Sequence, residues 1–306
     1  MKYLHPKRDL RLTKDFFHRL FWYYLVPDRL SIKHEFKKRL GYACNLKGPR
    51  SYNEKIQWLK LHDRKPEYKF FCDKYEVKRI IGDLIGQQYI VPTLGRWNRY
   101  EEIDFSVLPD RFVLKCNHDS ASTIICHDKS VFDHARARER LTAALKYDYY
   151  HDMGKQWAYK GIQRCILAEE LLEDSTRSEL VDYKFMVFNG VCKCTLASSE
   201  RFSRSGTKMD FYDRDWNLLP FTRHYPNSKK GIPRPGNYDL MVSLAEKIAR
   251  HIGNPFVRVD FYEVDSQVYF GEVTFYPGGG LSEFKPQEWD FIIGSWMNLE
   301  PLKGER

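Results

Sequence analysis

The sequence predicts an α+β fold in which antiparallel hairpins alternate with helices, and three patterns lead to this class. Asn189-Gly190 lies between two apolar runs and is the strongest hairpin signal in the chain. Apolar residues recur at helical spacing over 240–252, and Gly253 follows where a helix usually ends. Apolar and polar residues alternate over 257–275, which predicts two strands joined by a short loop.

The remaining elements follow from the same patterns, taken in chain order. A basic helix is predicted over 10–40, and its aromatic stripe packs on a core or lies on a membrane surface; the stripe is Phe16, Phe17, Leu20, Phe21 and Tyr24. Further helices are predicted at 52–61, 73–86, 131–147 and 240–252. Strands are predicted at 89–91, 111–116, 123–126, 163–170, 183–188 and 191–196, with a long connection at 202–235 before the last hairpin.

Composition limits the class of protein and its partners. With 306 residues, 42% of them hydrophobic, the chain is long enough for one large or two modest domains with a substantial core. Its net charge of +9 is unevenly spread, because residues 1–70 hold 18 Lys and Arg against 7 Asp and Glu. This basic region is suited to an acidic partner, such as nucleic acid, anionic lipid or an anionic polymer.

The chain has the features of a cytoplasmic protein. No apolar run approaches the roughly 20 residues of a membrane-spanning helix. The apolar patch at 21–26 is too short for a secretory signal, and no small-residue cleavage site follows it. Seven cysteines at irregular spacing, without a CxxC motif, are typical of reduced thiols.

The last predicted hairpin carries one acidic side chain on each strand, Asp260 and Glu272. If the loop holds three residues, Asp265 to Gln267, these acids lie directly opposite each other, whereas a two-residue turn places them on opposite faces. Like charges opposed across strands repel, and a divalent cation such as Mg²⁺ on a nucleotide removes that cost. The alternative is a solvated sheet face on which the acids pair with Arg258.

Cationic side chains in three other places are suited to phosphate. Lys115 ends a predicted strand and opens the polar loop 117–122, although a lysine at a strand end is often only solvated. Lys184 shares a strand face with Asp182 and either completes a phosphate clamp or pairs with that acid. Arg201 follows the next strand and leaves the same two alternatives open.

Common nucleotide and metal motifs are absent. Neither GxxxxGK[ST] nor GxGxxG occurs, so a P-loop or a Rossmann site lacks support. The cysteines and histidines between 116 and 127 fit no structural zinc spacing. Nor does the sequence single out a Cys/His nucleophile pair.

The order of these motifs resembles the TupA-like ATP-grasp family, whose members occur in bacterial polysaccharide gene clusters. The resemblance covers about residues 50–295. It rests on SYNEKIQWLKLHDR, CDKYEVK, LPDRFVLKCNHDSAS, AEELLED, DYKFMVFNG and FVRVDFYEV…VYFGEVTFYPGGG.

The resemblance implies an ATP-grasp fold, in which two α+β subdomains with antiparallel sheets hold ATP between them, preceded here by a basic helical region. The implied divisions are a basic N-terminal region (1–70), a segment that precedes the ATP-grasp unit (71–110), subdomain 1 with the phosphate loop and adenine hinge (111–180), and subdomain 2 with the metal and phosphate site (181–306).

The resemblance also implies a role for each matching residue. ATP phosphates and ribose would be contacted by Lys74, Lys115, Asp182 and Lys184 and by the loop residues His118, Ser120 and Ser122. The adenine hinge would be Glu169, Glu170 and Leu172. Asp260 and Glu272 would hold Mg²⁺, and the catalytic side chains would be Lys184, Arg201 and Arg258.

Two positions depart from the family pattern. The phosphate loop, usually glycine-rich, reads NHDSAS. The usual third metal ligand, an Asn two residues after the acidic one, is Thr274.

The resulting hypothesis is an ATP- and Mg²⁺-dependent carboxylate–amine ligase that amidates a uronic acid of a surface polysaccharide. Its expected partners are an anionic glycan acceptor and a small amine, with no nucleic acid; the basic N-terminal region would meet the glycan or the inner membrane surface. One alternative is an ATP-grasp sugar kinase or a polysaccharide glycosyltransferase, and another is a basic binding module without enzymatic activity.

Overall fold

Two antiparallel β-sheets with helices packed around them form the frame of the molecule. The computed structural model describes residues 20–175, 179–199, 206–228 and 230–303. The helices are α1 (Asp28–Leu40), α2 (Tyr52–His62), α3 (Tyr68–Cys72), α4 (Glu76–Ile85), α5 (His134–Leu145), α6 (Tyr149–Asp152), α7 (Tyr238–Ile252), α8 (Glu288–Ser295) and α9 (Glu300–Lys303). The strands are β1 (Thr93–Trp97), β2 (Phe112–Cys116), β3 (Ile124–Cys126), β4 (Ile166–Glu170), β5 (Asp182–Phe188), β6 (Val191–Ser199), β7 (Lys208–Tyr212), β8 (Thr222–Arg223), β9 (Phe256–Val264), β10 (Gln267–Thr274) and β11 (Phe284–Lys285).

The first sheet has the strand order β1-β4-β2-β3 and its own small core. Alternation along β2 places Phe112, Leu114 and Cys116 in that core, against Leu141 of α5. Lys115 therefore lies on the other face of the sheet, where its amine is available to polar partners.

The second sheet has the order β10-β9-β5-β6-β7 and belongs to the larger core. Helix α7 packs on it through residues such as Met241 and Ile248, and ends at Gly253 in the left-handed conformation. The predicted hairpin at Asn189-Gly190 is confirmed, since both residues have positive φ, 47° and 80°, as a type I′ turn requires. Central strand β5 is buried along its whole length.

The single helix predicted over 10–40 is wrong. A π-helical turn, Phe21–Leu25, is followed by Pro27, and α1 begins only at Asp28. Proline lacks an N–H and restricts the residue before it, so the helix cannot run through this point. Leu20, Phe21 and Tyr24 are exposed by 41%, 52% and 43%; Phe16 and Phe17 lie outside the described residues.

Two other predictions about strands need correction. The strand predicted at 89–91 is reduced to an isolated parallel β-bridge between Ile90 and Phe270, because Tyr89 belongs to a 3₁₀ turn over Gln87–Tyr89; β1 begins after Pro92. The predicted long connection at 202–235 contains β7 and β8. Strand β7 is an edge strand whose register is set by pairing with β6, a long-range contact that local alternation does not reveal.

Helix α2 ties the N-terminal half of the chain to its C-terminal end. Ser51 and Glu54 form a complete capping box at its start. Asn53 then donates from its backbone and its side-chain amide to the Asp290 carboxylate of α8, at 2.9 and 3.0 Å. All seven cysteines are free and buried. Among the described residues, no helix is long and apolar enough to cross a membrane.

Candidate active site

The hairpin β9–β10 brings Asp260 and Glu272 opposite each other, as predicted, but by a different route. The turn holds two residues, Asp265 and Ser266, both with positive φ, and not three. A bulge between Phe270 and Glu272 then supplies the extra residue. The register therefore shifts by one beyond the bulge, and the two acidic side chains lie on the same face of the sheet.

The bulge residue is Gly271, and its lack of a side chain has a local reason. A Cβ at this position would lie 3.1 Å from the Asp260 carbonyl oxygen and 3.2 Å from the Tyr262 ring. Glycine thus lets the bulged strand approach β9 closely beside the paired acids.

Five charged side chains from β5, β9 and β10 form one connected group, which we call the carboxylate cluster: Asp182, Lys184, Arg258, Asp260 and Glu272. Arg258 binds both oxygens of Asp260, each at 2.6 Å, and reaches Glu272 Oε1 at 2.6 Å. Lys184 donates to Asp260 Oδ2 at 2.8 Å and also to Asp182. Three acids and two cations leave a formal charge of −1.

Burial and charge act in opposite directions on the two central acids. Burial raises the pKa of Asp260, and the attraction of Arg258 and Lys184 opposes that rise. Burial also pushes up the pKa of Glu272, but Arg258, Lys74 and Lys184 outweigh it, so the net pKa lies below the usual value. Glu272 is therefore held ionised, as a metal ligand or a charge partner must be.

Carboxylate oxygens are the ligands that a hard cation prefers, and in this structure Arg258 and Lys184 occupy both oxygens of Asp260. No three metal-ligating side chains converge anywhere in the described part of the chain. A metal ion here would therefore take two carboxylates and complete its shell with phosphate and water, the usual situation of Mg²⁺ on a nucleotide. Glu272 Oε1 is occupied by Arg258 and by the Thr274 hydroxyl at 3.2 Å, whereas Oε2 has no hydrogen bond among the described residues.

A second charged group lies on the first sheet, around Glu169. This side chain is 6% exposed and pairs with Lys115 of the neighbouring strand. Lys78 of α4 pairs with the same carboxylate at 2.7 Å and donates to the Val91 carbonyl at 2.8 Å. Burial raises the pKa of Glu169, yet the two lysines more than compensate and the net pKa is lowered.

Lys78 is absent from the sequence prediction, and its contacts explain why. A lysine in the first turns of a helix looks solvated, and its partners lie 13 and 91 positions away in the chain. The other residues predicted for the hinge follow along β4. The Glu170 N–H donates to the Pro92 carbonyl at 3.2 Å, and Leu172 is partly exposed beyond the strand.

Lys74 connects the polar loop 117–122 to the carboxylate cluster. Its amine donates to the Asp119 carbonyl, and its charge contributes to the low pKa of Glu272. Asn117 fixes this arrangement, because its side chain bonds Asp73 at 2.9 Å and its carbonyl accepts the Lys74 N–H at 3.0 Å. Lys74 is therefore fixed on the loop, and its charge acts on Glu272.

The loop itself is held by hydrogen bonds and not by glycine. The Ser122 hydroxyl accepts from the Cys116 N–H at 2.7 Å and donates to Asp119. His118 is 2% exposed, whereas Ser120 is exposed and lies 3.1 Å from the Tyr149 hydroxyl. Of the three loop side chains predicted to meet phosphate, only that of Ser120 faces solvent. The predicted catalytic residue Arg201 lies outside the described residues.

Comparison with known proteins supplies a family match. The family model described as TupA-like ATPgrasp matches residues 54–298. No curated protein matches the chain significantly.

Solved structures of ATP-grasp ligases are similar at low identity. The D-alanine–D-alanine ligase from Bacillus anthracis complexed with ATP has 15% identity and a TM-score of 0.46, over 78% of this chain and 69% of that one. The D-cycloserine synthetase DcsG has 14% identity and a TM-score of 0.42, over 78% of this chain and 72% of that one. The ATP-grasp ligase PsnB with minimal precursor has 12% identity and a TM-score of 0.39; the match covers 69% of this chain but only 55% of the ligase.

Proposed function

We propose that this chain, which belongs to the TupA-like ATP-grasp family, is an ATP- and Mg²⁺-dependent ligase that joins a carboxylate to an amine. The family assignment confirms the predicted α+β ATP-grasp fold. The observation that carries the proposal is the carboxylate cluster: paired acids that suit a metal ion, with two cations beside them, next to Lys74 and the polar loop.

The reaction proposed has two steps. A carboxylate oxygen of the acceptor attacks the γ-phosphorus of ATP, and ADP leaves. The amine nitrogen then attacks the carbonyl carbon of the acyl phosphate, inorganic phosphate leaves, and the nitrogen loses a proton to solvent. Acid, amine and ATP thus yield amide, ADP and phosphate, and no protein nucleophile is needed.

The side chains of the site would act by position and charge. Lys184 of the cluster and Lys74, which is bound to the polar loop, would neutralise charge on the transferred phosphoryl group. Arg258 would stabilise the acyl phosphate and the tetrahedral centre that follows it. Asp260 and Glu272 would hold Mg²⁺, which supplies Lewis-acid stabilisation of the phosphate oxygens when bound.

Glu169, Lys78 and Lys115 would form the part of the nucleotide site that lies on the first sheet. Lys115 and Lys78 are held by a buried carboxylate, so their amines are fixed in place before ATP arrives. Glu170 and Leu172, at the end of the same strand, would supply the adenine hinge.

The acceptor we propose is a uronic acid of a bacterial surface polysaccharide, joined to an amino acid or another amine. The basic excess of +11 in residues 1–70 supports an anionic glycan. Members of the family occur in polysaccharide gene clusters, which agrees with this assignment. The same basic region would keep the protein at a glycan or an anionic membrane surface.

Product analysis tests the function. The full chain is incubated with ATP, Mg²⁺, a uronic acid oligosaccharide and a panel of amines, and ADP, phosphate and the coupled product are measured. Amide formation with release of free phosphate supports the proposal. Phosphate retained on the sugar indicates a kinase, and turnover of a nucleotide sugar in place of ATP indicates a glycosyltransferase; either result refutes it.

A matched pair of variants places the reaction at the cluster. Asp260→Asn should reduce amide formation at least 100-fold, in the range of losses for a transition-state charge partner. Asp239→Asn is the control, because this carboxylate is 84% exposed and its ion-pair partner in the described part of the chain is Arg234 at the surface. Normal turnover by Asp260→Asn would contradict the assignment of the site.

A further inference from the structure

A cavity of about 130 Å³ lies between the polar loop, α6 and residues 159–164. This volume is about ten times what a single water needs, so the cavity has room for a small polar group of several atoms. It is partly open to solvent, and no step of the proposed reaction uses it.

A buried histidine lines this cavity. His118 is 2% exposed, no side chain of the described residues makes a hydrogen bond with either ring nitrogen, and a backbone group of Tyr147 lies beside the ring. An imidazole at a cavity wall with most of its hydrogen-bonding capacity unused can bind a group that arrives from outside. Burial, opposed by the charge of Asp119 and aided by Arg164 and Lys74, lowers the pKa of His118, so the neutral ring offers one hydrogen-bond donor and one acceptor.

The charges of the wall favour an anionic ligand. Lys160 lies over the Tyr150 ring, 5.1 Å from its centroid, and makes no ion pair within the described part of the chain. Arg164 approaches Asp148 only at 3.5 Å and keeps 34% of its side chain exposed. One acid therefore faces two permanent cations, so the wall carries a net positive charge.

Aromatic rings complete the wall. Tyr149 and Tyr159 both line the cavity, with ring centroids 4.5 Å apart. Flat aromatic surface beside a few polar groups is typical of small-molecule sites, and the C–H face of a sugar ring packs well on it.

The cavity also adjoins the reaction site. Tyr149 lies 3.1 Å from the hydroxyl of Ser120, the exposed residue of the loop. A carboxylate bound here would therefore lie next to the polar loop that is proposed to meet the ATP phosphates.

We propose that this cavity is the acceptor subsite and binds the carboxylate-bearing sugar residue, with Lys160 and Arg164 as its charge partners and His118 as a hydrogen-bond partner. The inference rests on the proposed function and names the part of the chain that selects the acidic acceptor. The remaining glycan would leave through the open side.

The subsite is tested by binding of D-glucuronate to the full chain. Saturation-transfer NMR and calorimetry measure the binding, and D-glucose is the neutral probe. Glucuronate should bind, glucose should bind at least tenfold more weakly, and Lys160→Gln should reduce glucuronate affinity at least tenfold, whereas Lys160→Arg should retain it. Lys160 is exposed and free of ion pairs among the described residues, so its substitution leaves the fold intact. Equal binding of both sugars, or unchanged binding by Lys160→Gln, overturns the subsite.

The kinetics separate the subsite from the proposed ligase. Lys160→Gln should raise KM for the uronic acid acceptor at least tenfold and leave KM for ATP within twofold. If amide forms and this variant keeps the acceptor KM of the native protein, the subsite is wrong and the ligase stands. If glucuronate binding depends on Lys160 but no amide forms with any amine, the subsite stands and the ligase assignment falls.

Discussion

Replacing Glu169 by glutamine should destabilise the protein strongly, because two lysines depend on this one carboxylate. Glu169 is 6% exposed, and Lys78 and Lys115 are 14% and 18% exposed. Glutamine keeps the shape but removes the charge, so two cations stay largely buried without an anion. Removing one partner of a buried ion pair costs about 3–5 kcal/mol, and the partial exposure of the lysines places this change at about 3 kcal/mol.

Urea unfolding at pH 7 measures the effect, with Glu170→Gln as the matched control. Glu170 is the next residue along the strand and is exposed, so its variant should lie within about 0.5 kcal/mol of the native protein. The slope of free energy against urea should be the same for all three proteins. A Glu169→Gln protein within about 1 kcal/mol of native at pH 7 would refute the view that this carboxylate holds the lysines.

The same pair of proteins has a predictable pH dependence. The folded-state pKa of Glu169 lies below its ordinary value of about 4.3. Its contribution to stability is therefore fully present above that value and is lost as the pH falls through the lower, folded-state pKa. The native and Glu169→Gln stability curves should be separate at pH 7 and converge below about pH 4. A gap that stays constant down to pH 3 would contradict the charge explanation.

Two further substitutions test how the fold positions the site. Gly271→Val should lower the free energy of unfolding by about 1–3 kcal/mol, because its Cβ would lie 3.1 Å from the Asp260 carbonyl oxygen, and it should also weaken ATP binding. Urea unfolding measures the stability and calorimetry measures the ATP affinity. Unchanged stability and affinity would show that the bulge tolerates a side chain. Ser51→Ala should cost about 1 kcal/mol by removing the capping box of α2, with Ser106→Ala, an exposed serine, as control; no loss relative to that control would contradict the cap.

Much of the fold follows from local patterns, and the exceptions have physical causes. The hairpin at Asn189-Gly190 and helix α7 were predictable because their signals are contained in a few neighbouring residues. Strand β7 and the break at Pro27 were missed. The register of an edge strand depends on its partner strand, which local sequence does not show. The basic aromatic stripe suggested one continuous helix, and the helix-breaking effect of Pro27 was underestimated.

The candidate site shows the same division. Asp260 and Glu272 were correctly predicted to face each other, although the predicted three-residue loop was wrong and a bulge at Gly271 produced the pairing. Lys78 was missed because a side chain that reaches across 91 positions leaves no local signal. The use of the Ser122 hydroxyl within the loop was equally invisible, since a polar residue in a polar loop looks free to bind phosphate.

We propose that Asp260 and Glu272 hold one metal ion together, and a double-mutant cycle on ATP affinity tests this shared binding. Calorimetry measures the factor by which Mg²⁺ strengthens ATP binding in the native protein, in Asp260→Asn, in Glu272→Gln and in the double variant. If both acids bind the same ion, each single change should remove most of that factor and the double change should remove no more. Independent, additive losses, or a factor unchanged in either single variant, would contradict the account.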